Sequence, residues 1–277
     1  MTNFDQFLQN LAAQDAVLVT VQSHRGSVPR EVGAWMAVFA DQVVGTVGGG
    51  HVEWQAQQEA QRMLQLMAPT QVRRYPLGPA LGQCCGGEMH LRFERVGAPD
   101  LPVLQQRQAE QMAAWPLVVL FGGGHVGRAL MAVLPTLPLR LQWIDSREEI
   151  FPPDVPARVV CEHSQPVHAA VASLPPDAHV LIMSFSHAED LDVVVACLQR
   201  QRDRADVPFI GLIGSRSKWA TFSHRLLARG FSEAELARVT CPIGIAGIVG
   251  KEPEVIAVAV AAQLLQVTHR VASAHTD

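Results

Sequence analysis

Gly122, Gly124 and Gly127 fall in the run Leu117-Val-Val-Leu-Phe-Gly-Gly-Gly-His-Val-Gly-Arg-Ala-Leu130, a GxGxxG set between an apolar strand and a segment able to form a helix. The first glycine allows a tight turn, the second lets an anion approach the backbone, and the third lets the helix pack closely. The helix N-terminus then offers unpaired N–H groups and the positive end of its dipole. Trp143-Ile144-Asp145 ends the next apolar run with an acid, about 20 residues beyond Gly124, where a dinucleotide fold places its ribose-binding carboxylate. The chemistry implied is phosphate recognition, with a ribose contact if Asp145 is free to make one.

Two further loops follow apolar runs in the same half. Ser184-Phe185-Ser186-His187 comes after Val180 to Met183, and Gly214-Ser215-Arg216-Ser217-Lys218 comes after Phe209 to Ile213. An open α/β sheet binds its ligands beyond the carboxyl ends of its strands, so both loops suit one crevice. There Arg216 forks onto a phosphate and Lys218 acts as a point charge; the alternative is a solvated surface pair. His187 either faces that crevice or caps the following helix. A glycine-rich strip from Pro242 to Pro253 offers another anion site ahead of the last helix.

The N-terminal half pairs Gly48-Gly49-Gly50-His51-Val52-Glu53 with Leu81-Gly82-Gln83-Cys84-Cys85-Gly86-Gly87-Glu88. Gly86 and Gly87 expose backbone N–H groups beside Cys85, which lowers a thiol pKa and leaves room for a ligand. A soft metal is presented with a thiolate in this way, and Gly49, Gly50 and His51 make the opposing segment. His51-x-Glu53 is part of the zinc deaminase signature, but the Pro-Cys-x-x-Cys that completes it is missing. No four-ligand zinc set has the usual spacing. A Cys85–His51 nucleophile pair stays open. Cys161, Cys197 and Cys241 read as small core residues.

Positioning these groups takes two domains, and 277 residues with 48% hydrophobic and 17% charged side chains can bury both cores. Residues 1–100 read as an α+β domain, with strands at Ala16 to Gln22, Trp35 to Ala40, Val43 to Val47 and Met89 to Val96, and a helix at Val52 to Met67. The Gln-rich stretch 101–115 reads as a linker. Residues 116–277 alternate apolar runs with helix-length segments, which predicts a Rossmann-like parallel sheet ending in a helix. The class is α/β: an N-terminal α+β domain followed by a Rossmann-like domain.

Charge and composition exclude other classes. With 22 Lys plus Arg against 26 Asp plus Glu there is no basic field for nucleic acid. Val255 to Leu265 is too short to cross a membrane, and the first residues carry no basic, apolar leader, so the expected location is cytoplasmic. Five cysteines, an odd count, argue against a disulfide framework. A homodimer is the commonest assembly for such a chain.

Six ordered motifs give the chain a resemblance. Arg25 to Arg30, Gly45 to Glu53, Leu81 to Gly87, Phe121 to Gly127, Ile213 to Arg216 and Cys241 to Gly244 together resemble the XdhC/CoxI-type accessory family for molybdenum hydroxylases, in its xanthine dehydrogenase branch. Other members often carry cysteine where this chain has His51. The resemblance implies a carrier that binds the molybdenum cofactor (Mo-molybdopterin) as cargo and supports its sulfurated form. It further implies delivery to apo xanthine dehydrogenase, with a cysteine desulfurase as sulfur donor. The glycines after Cys85 make it the expected molybdenum-facing thiol, with Cys84 packing; the alternative is that both cysteines fill space in a tight turn. Two other readings stand beside it: an NAD(P)-dependent oxidoreductase using Gly122, Gly124, Gly127 and Asp145, and a nucleotide-sensing module that leaves Cys84-Cys85 unexplained.

Overall fold

A computed structural model describes residues 2–77 and 86–274. Its internal contacts divide the chain into Met1–Ala109 and Glu110–Asp277.

The first unit is built on an antiparallel sheet of five strands, β1 (Ala16–Arg25), β2 (Trp35–Val38), β3 (Val43–Gly45), β4 (Gln71–Pro76) and β5 (Glu88–Val96), in the order β3-β2-β1-β5-β4. Alternation along each strand fixes which face meets which helix. Val17, Val19 and Val21, with Met36 and Val38, turn toward α2 (Gly50–Leu66) and pack on its Val52, Ala56, Ala60 and Met63. Ala16, Ala37 and Phe39 turn the other way, onto Phe7 and Leu11 of α1 (Asn3–Leu11). A fully buried side chain such as Phe7 contributes about 1.5–3 kcal/mol over its exposed state.

Residues 101–115, read from the sequence as a linker, are helical over Leu101–Ala113 (α3). Gln, Leu and Met are good helix formers, and Pro102 falls in the first turn, where a missing N–H costs little. Leu104 is buried in the α1 cluster with Leu101 packed against it, so tertiary packing decides what composition left as a spacer.

The second unit has six parallel strands: β6 (Leu117–Phe121), β7 (Arg140–Asp145), β8 (Val159–His163), β9 (His179–Ile182), β10 (Phe209–Leu212) and β11 (Val239–Thr240). Their order, β11-β10-β9-β6-β7-β8, is the doubly wound order of a dinucleotide-binding fold. Helices α4 (His125–Val133) and α8 (Pro253–Ala274) cover one face through Leu130, Val260 and Leu264. Helices α5 (His187–Arg204), α6 (Arg216–Ala228) and α7 (Glu233–Leu236) cover the other through Val194, Leu198, Phe222 and Leu236. β6 and β9, buried at every position, are the continuous apolar runs that a sheet covered on both faces requires. Among the described residues no helix is long and apolar enough to cross a membrane.

Cys197 lies in the core, as read from the sequence, and burial pushes its thiol up to about 12. Cys241 is half-buried and pushed up to about 11 by burial. Cys161, read as a core residue, is exposed on the edge strand β8.

Candidate functional site

In a parallel sheet every strand delivers its carboxyl end to the same edge. Here that edge carries the glycine loop after β6, Asp145 at the end of β7, the Ser184–His187 loop after β9 and the Gly214–Arg216 loop after β10. The direction of winding reverses between β6 and β9, which is where such folds open a crevice.

The three glycines of the motif do different work. Gly122 has φ +120°, and a Cβ there would stand 1.9 Å from the Met183 carbonyl oxygen, so no other residue fits. A Cβ at Gly127 would stand 2.2 Å from the Gly122 carbonyl oxygen, which locks the start of α4 against the turn. Gly124 is exposed at the N-cap of α4 and has nothing within 4 Å of where its Cβ would be. The N-terminal amides of α4 are therefore approachable from the Gly124 side.

Asp145 is turned inward. Its carboxylate accepts from the Gly123 N–H at 2.6 Å, from the Arg147 N–H at 2.9 Å, and from Arg147 Nε and Nη2 at 2.9 Å each. Burial by itself raises its pKa, but the Arg147 side chain and the backbone donors outweigh burial and hold it below the ordinary carboxylate value. With 1% of its surface exposed, it is held within its own loop, at the position where the sequence spacing places a ribose-binding acid. The turn that follows closes the same place: a Cβ at Gly123 would stand 2.6 Å from Ile150 Cγ1, and Arg128 Nη2 donates to the Ile150 carbonyl oxygen at 3.2 Å.

Above β6 the two flanking loops are tied together. Ser146 Oγ donates to Glu189 Oε1 at 2.7 Å, and the Arg147 guanidinium lies 4.5 Å from the centre of the Phe185 ring. Phe185 N–H in turn donates to Glu189 Oε2 at 3.1 Å. Since β7 and β9 pair with opposite sides of β6, these contacts form a strap across the end of β6. A dinucleotide bridges the two halves of a doubly wound sheet along that same path.

His187 is the first residue of α5 and is exposed, with its ring edge-on to Phe222 at 6.4 Å; the N-cap is Ser186, whose Oγ accepts from the Glu189 N–H at 3.2 Å. Arg216 likewise opens α6, exposed. Lys218 is not a surface charge: its Nζ donates to Asp190 Oδ2 at 2.6 Å and to the Ile213 carbonyl oxygen at 2.8 Å. Ser184 Oγ is buried without a hydrogen-bond partner among the described residues. The glycine-rich strip ahead of α8 is tied to that helix, with Gly244 N–H donating to Gln263 Oε1 at 2.7 Å and Ile245 N–H to the Ala259 carbonyl oxygen at 3.2 Å. The sequence reading missed Arg147, Ile150, Glu189 and Asp190. One signal was available for Glu189, since Ser186-x-x-Glu189 has capping-box spacing.

In the first unit three motifs converge. The built Cβ of Gly87 would stand 2.4 Å from the Ser27 and 2.5 Å from the Arg25 carbonyl oxygen, while that of Gly48 would stand 2.4 Å from Pro29 Cγ. The Arg25–Arg30 loop thus touches the Gly86-Gly87 segment on one side and the triple-glycine turn on the other. That turn is held from within: Glu53 Oε2 accepts from the Val47 and Gly49 N–H groups at 3.0 Å each and from Thr46 Oγ1. Gly49 has φ +73° and Gly50 +67°, and both lead into α2. His51 is exposed and stacks on Trp54 with ring centroids 5.6 Å apart. Cys84 and Cys85 lie outside the described residues. Among the described residues no group of three or more His, Cys, Asp or Glu side chains is placed to hold a metal ion.

A doubly wound domain with a closed ribose corner, joined to an α+β unit, is the class these features define. Residues 118–264 match the XdhC Rossmann domain and residues 11–76 match the XdhC and CoxI family. The chain belongs to the XdhC and CoxI family. The uncharacterized protein YqeB of Escherichia coli (strain K12) is 31% identical over 258 residues, covering 90% of this chain and 43% of its own, so the chain spans less than half the length of that relative. A crystal structure of a Bacillus halodurans protein described as a xanthine dehydrogenase has the same fold, at TM-score 0.77 and 19% identity, covering 98% of this chain and 96% of that one.

Proposed function

We propose that this chain is an accessory protein of molybdenum enzymes that binds the molybdenum cofactor as cargo and hands it to apo xanthine dehydrogenase. The observation that carries the reading is the state of Asp145. An NAD-dependent enzyme of this fold uses that carboxylate for the ribose, and here Gly123 and Arg147 take it up while Ile150 covers the adjoining glycine. The α4 N-terminus at Gly124 stays open, which fits a ligand that brings a phosphate without an adenosine half. Molybdopterin ends in such a phosphate.

The residues that would hold the cargo divide by chemistry. Gly124 and the first amides of α4 would receive the phosphate, with Arg216 and His187 supplying further donors from neighbouring loops. The unpartnered Ser184 Oγ adds a neutral donor or acceptor at the end of β9. In the first unit, the Cys85 thiol beside Gly86 and Gly87, with Gly49, Gly50 and His51, is a separate candidate for contact with a soft metal. The family match supports xanthine dehydrogenase as recipient; a cysteine desulfurase as sulfur donor follows from the resemblance alone.

The test is oxidative release of the bound ligand from full-length protein made in a host that synthesises the cofactor. One fluorescent pterin per chain is the expected result. Release of NAD or NADP in its place would favour the oxidoreductase reading.

A further inference from the structure

A groove of about 740 Å³ runs between α2 and the edge strand β4 of the first unit. All of its lining comes from α2 and β4, and it includes Trp54, on which His51 stacks. Its lining includes Trp54, Gln58 and Arg62 from α2, with Arg73 and Arg74 from β4.

Three observations describe what fits it. The first is charge. Arg62 and Arg73 share one carboxylate, Glu59, with Nη2 contacts at 2.9 and 2.7 Å. Burial works against the ionised form of Glu59, but its bonds from Arg62 and Gln71 keep its pKa low, so it remains an anion. One guanidinium charge in this trio is left uncompensated, in a chain whose formal net charge is −4.

The second is the backbone. β4 is the outermost strand and pairs only with β5 among the described strands. Leu77 N–H donates to the Gly87 carbonyl oxygen at 2.8 Å, and hydrogen-bonded pairs alternate along an antiparallel ladder. Tyr75, Arg73 and Gln71 therefore bond to β5, while the main-chain groups of Val72 and Arg74 point away from the sheet. Among the described residues those outward groups have no partner, and an unpaired edge is a template for another strand.

The third is the groove wall. Gln58 and Trp54 are exposed along α2, Trp54 to 55%, and present amide and aromatic surface beside that edge. A strand lying on β4 would have alternate side chains facing this wall.

We infer that the α2–β4 groove is a docking site for an extended, acidic segment of a partner protein, which adds to the sheet as a sixth strand on β4. Main-chain hydrogen bonds to Val72 and Arg74 supply affinity, and carboxylates at alternate positions select for Arg62 and Arg73, the Arg74 side chain being paired with Glu88. The inference is independent of what the second unit binds.

The test uses the full chain and a fluorescent acetyl-Glu-Val-Glu-Val-Glu-Val-amide peptide, followed by anisotropy at low salt. Saturable binding is expected, with the lysine counterpart and a version N-methylated on alternate amides each weaker by about tenfold or more. Val72→Pro removes an outward N–H, and Gln58→Glu places a like charge on the exposed wall; each should weaken binding by about tenfold while the circular dichroism spectrum stays unchanged. No saturable binding of the acidic peptide, or equal binding of the lysine and N-methylated forms, would overturn the inference. So would displacement of the peptide by oligothymidylate, which would make the groove a nucleic-acid site.

Discussion

Asp190 and Lys218 meet at 2.6 Å beneath the crevice, with side chains only 3% and 11% exposed. The same carboxylate accepts from the Ser184 N–H at 2.7 Å, and the same ammonium donates to the Ile213 carbonyl oxygen at 2.8 Å. One buried ion pair thus ties the loop carrying His187 to the loop carrying Arg216. Burial raises the pKa of Asp190, and Lys218 opposes that rise.

Removing one partner strands a buried charge. Lys218→Met should lower unfolding stability by about 3–5 kcal/mol in urea titrations, and the double variant Lys218→Met with Asp190→Leu should lose less than either change alone. A loss under about 1 kcal/mol for Lys218→Met would mean that the pair is solvated.

Asp145 ties stability to acid. Its folded pKa lies below the ordinary 3.8, so the unfolded chain takes up the proton more readily. The stability Asp145 contributes is full well above that value and is lost as pH falls through the folded pKa. Asp145→Asn should flatten the decline in stability below about pH 5 and lower stability at neutral pH by about 1–3 kcal/mol, since the Gly123 and Arg147 donors lose their anion. An unchanged acid limb in the variant would contradict the inward-turned carboxylate.

The glycines should separate folding from binding. Gly124→Val enters open space at φ −70°, so its melting temperature should match the parent protein while pterin binding falls at least about tenfold. Gly127→Ala meets the Gly122 carbonyl oxygen and should lose about 1–3 kcal/mol of stability. A Gly124→Val protein with full cofactor content would move the phosphate elsewhere.

Much of this architecture is legible in the sequence because apolar periodicity and glycine punctuation report it directly. β6, β7, β9 and β10 are apolar runs, and Gly122 and Gly127 are glycines for steric reasons that the motif encodes. β8 is not legible: four of its five residues are not fully buried, so no apolar run marks it. β11 has two residues. The pairing of Asp145 with Arg147 is equally hidden, because the acid sits at the expected spacing whether it faces a ribose or its own loop. Only the turn through Ile150 decides, and nothing local in the sequence dictates how that turn packs.

The thiol assignment is checked with two variants. The glycines follow Cys85, not Cys84, and their N–H groups favour a thiolate at Cys85. Cys85→Ala should purify with little molybdenum while Cys84→Ala keeps most of it, measured by metal analysis. Loss only in Cys84→Ala would exchange the two roles, and retention in both would remove the thiolate from the site.

The most direct measurement mixes cofactor-loaded protein with apo xanthine dehydrogenase and follows recovered xanthine oxidation. Activity should rise in proportion to the protein added and stop when its cargo is exhausted, with no NADH formed by the protein alone. Sustained NADH formation from an alcohol or hydroxy acid, with no reactivation of the apoenzyme, would contradict the carrier role.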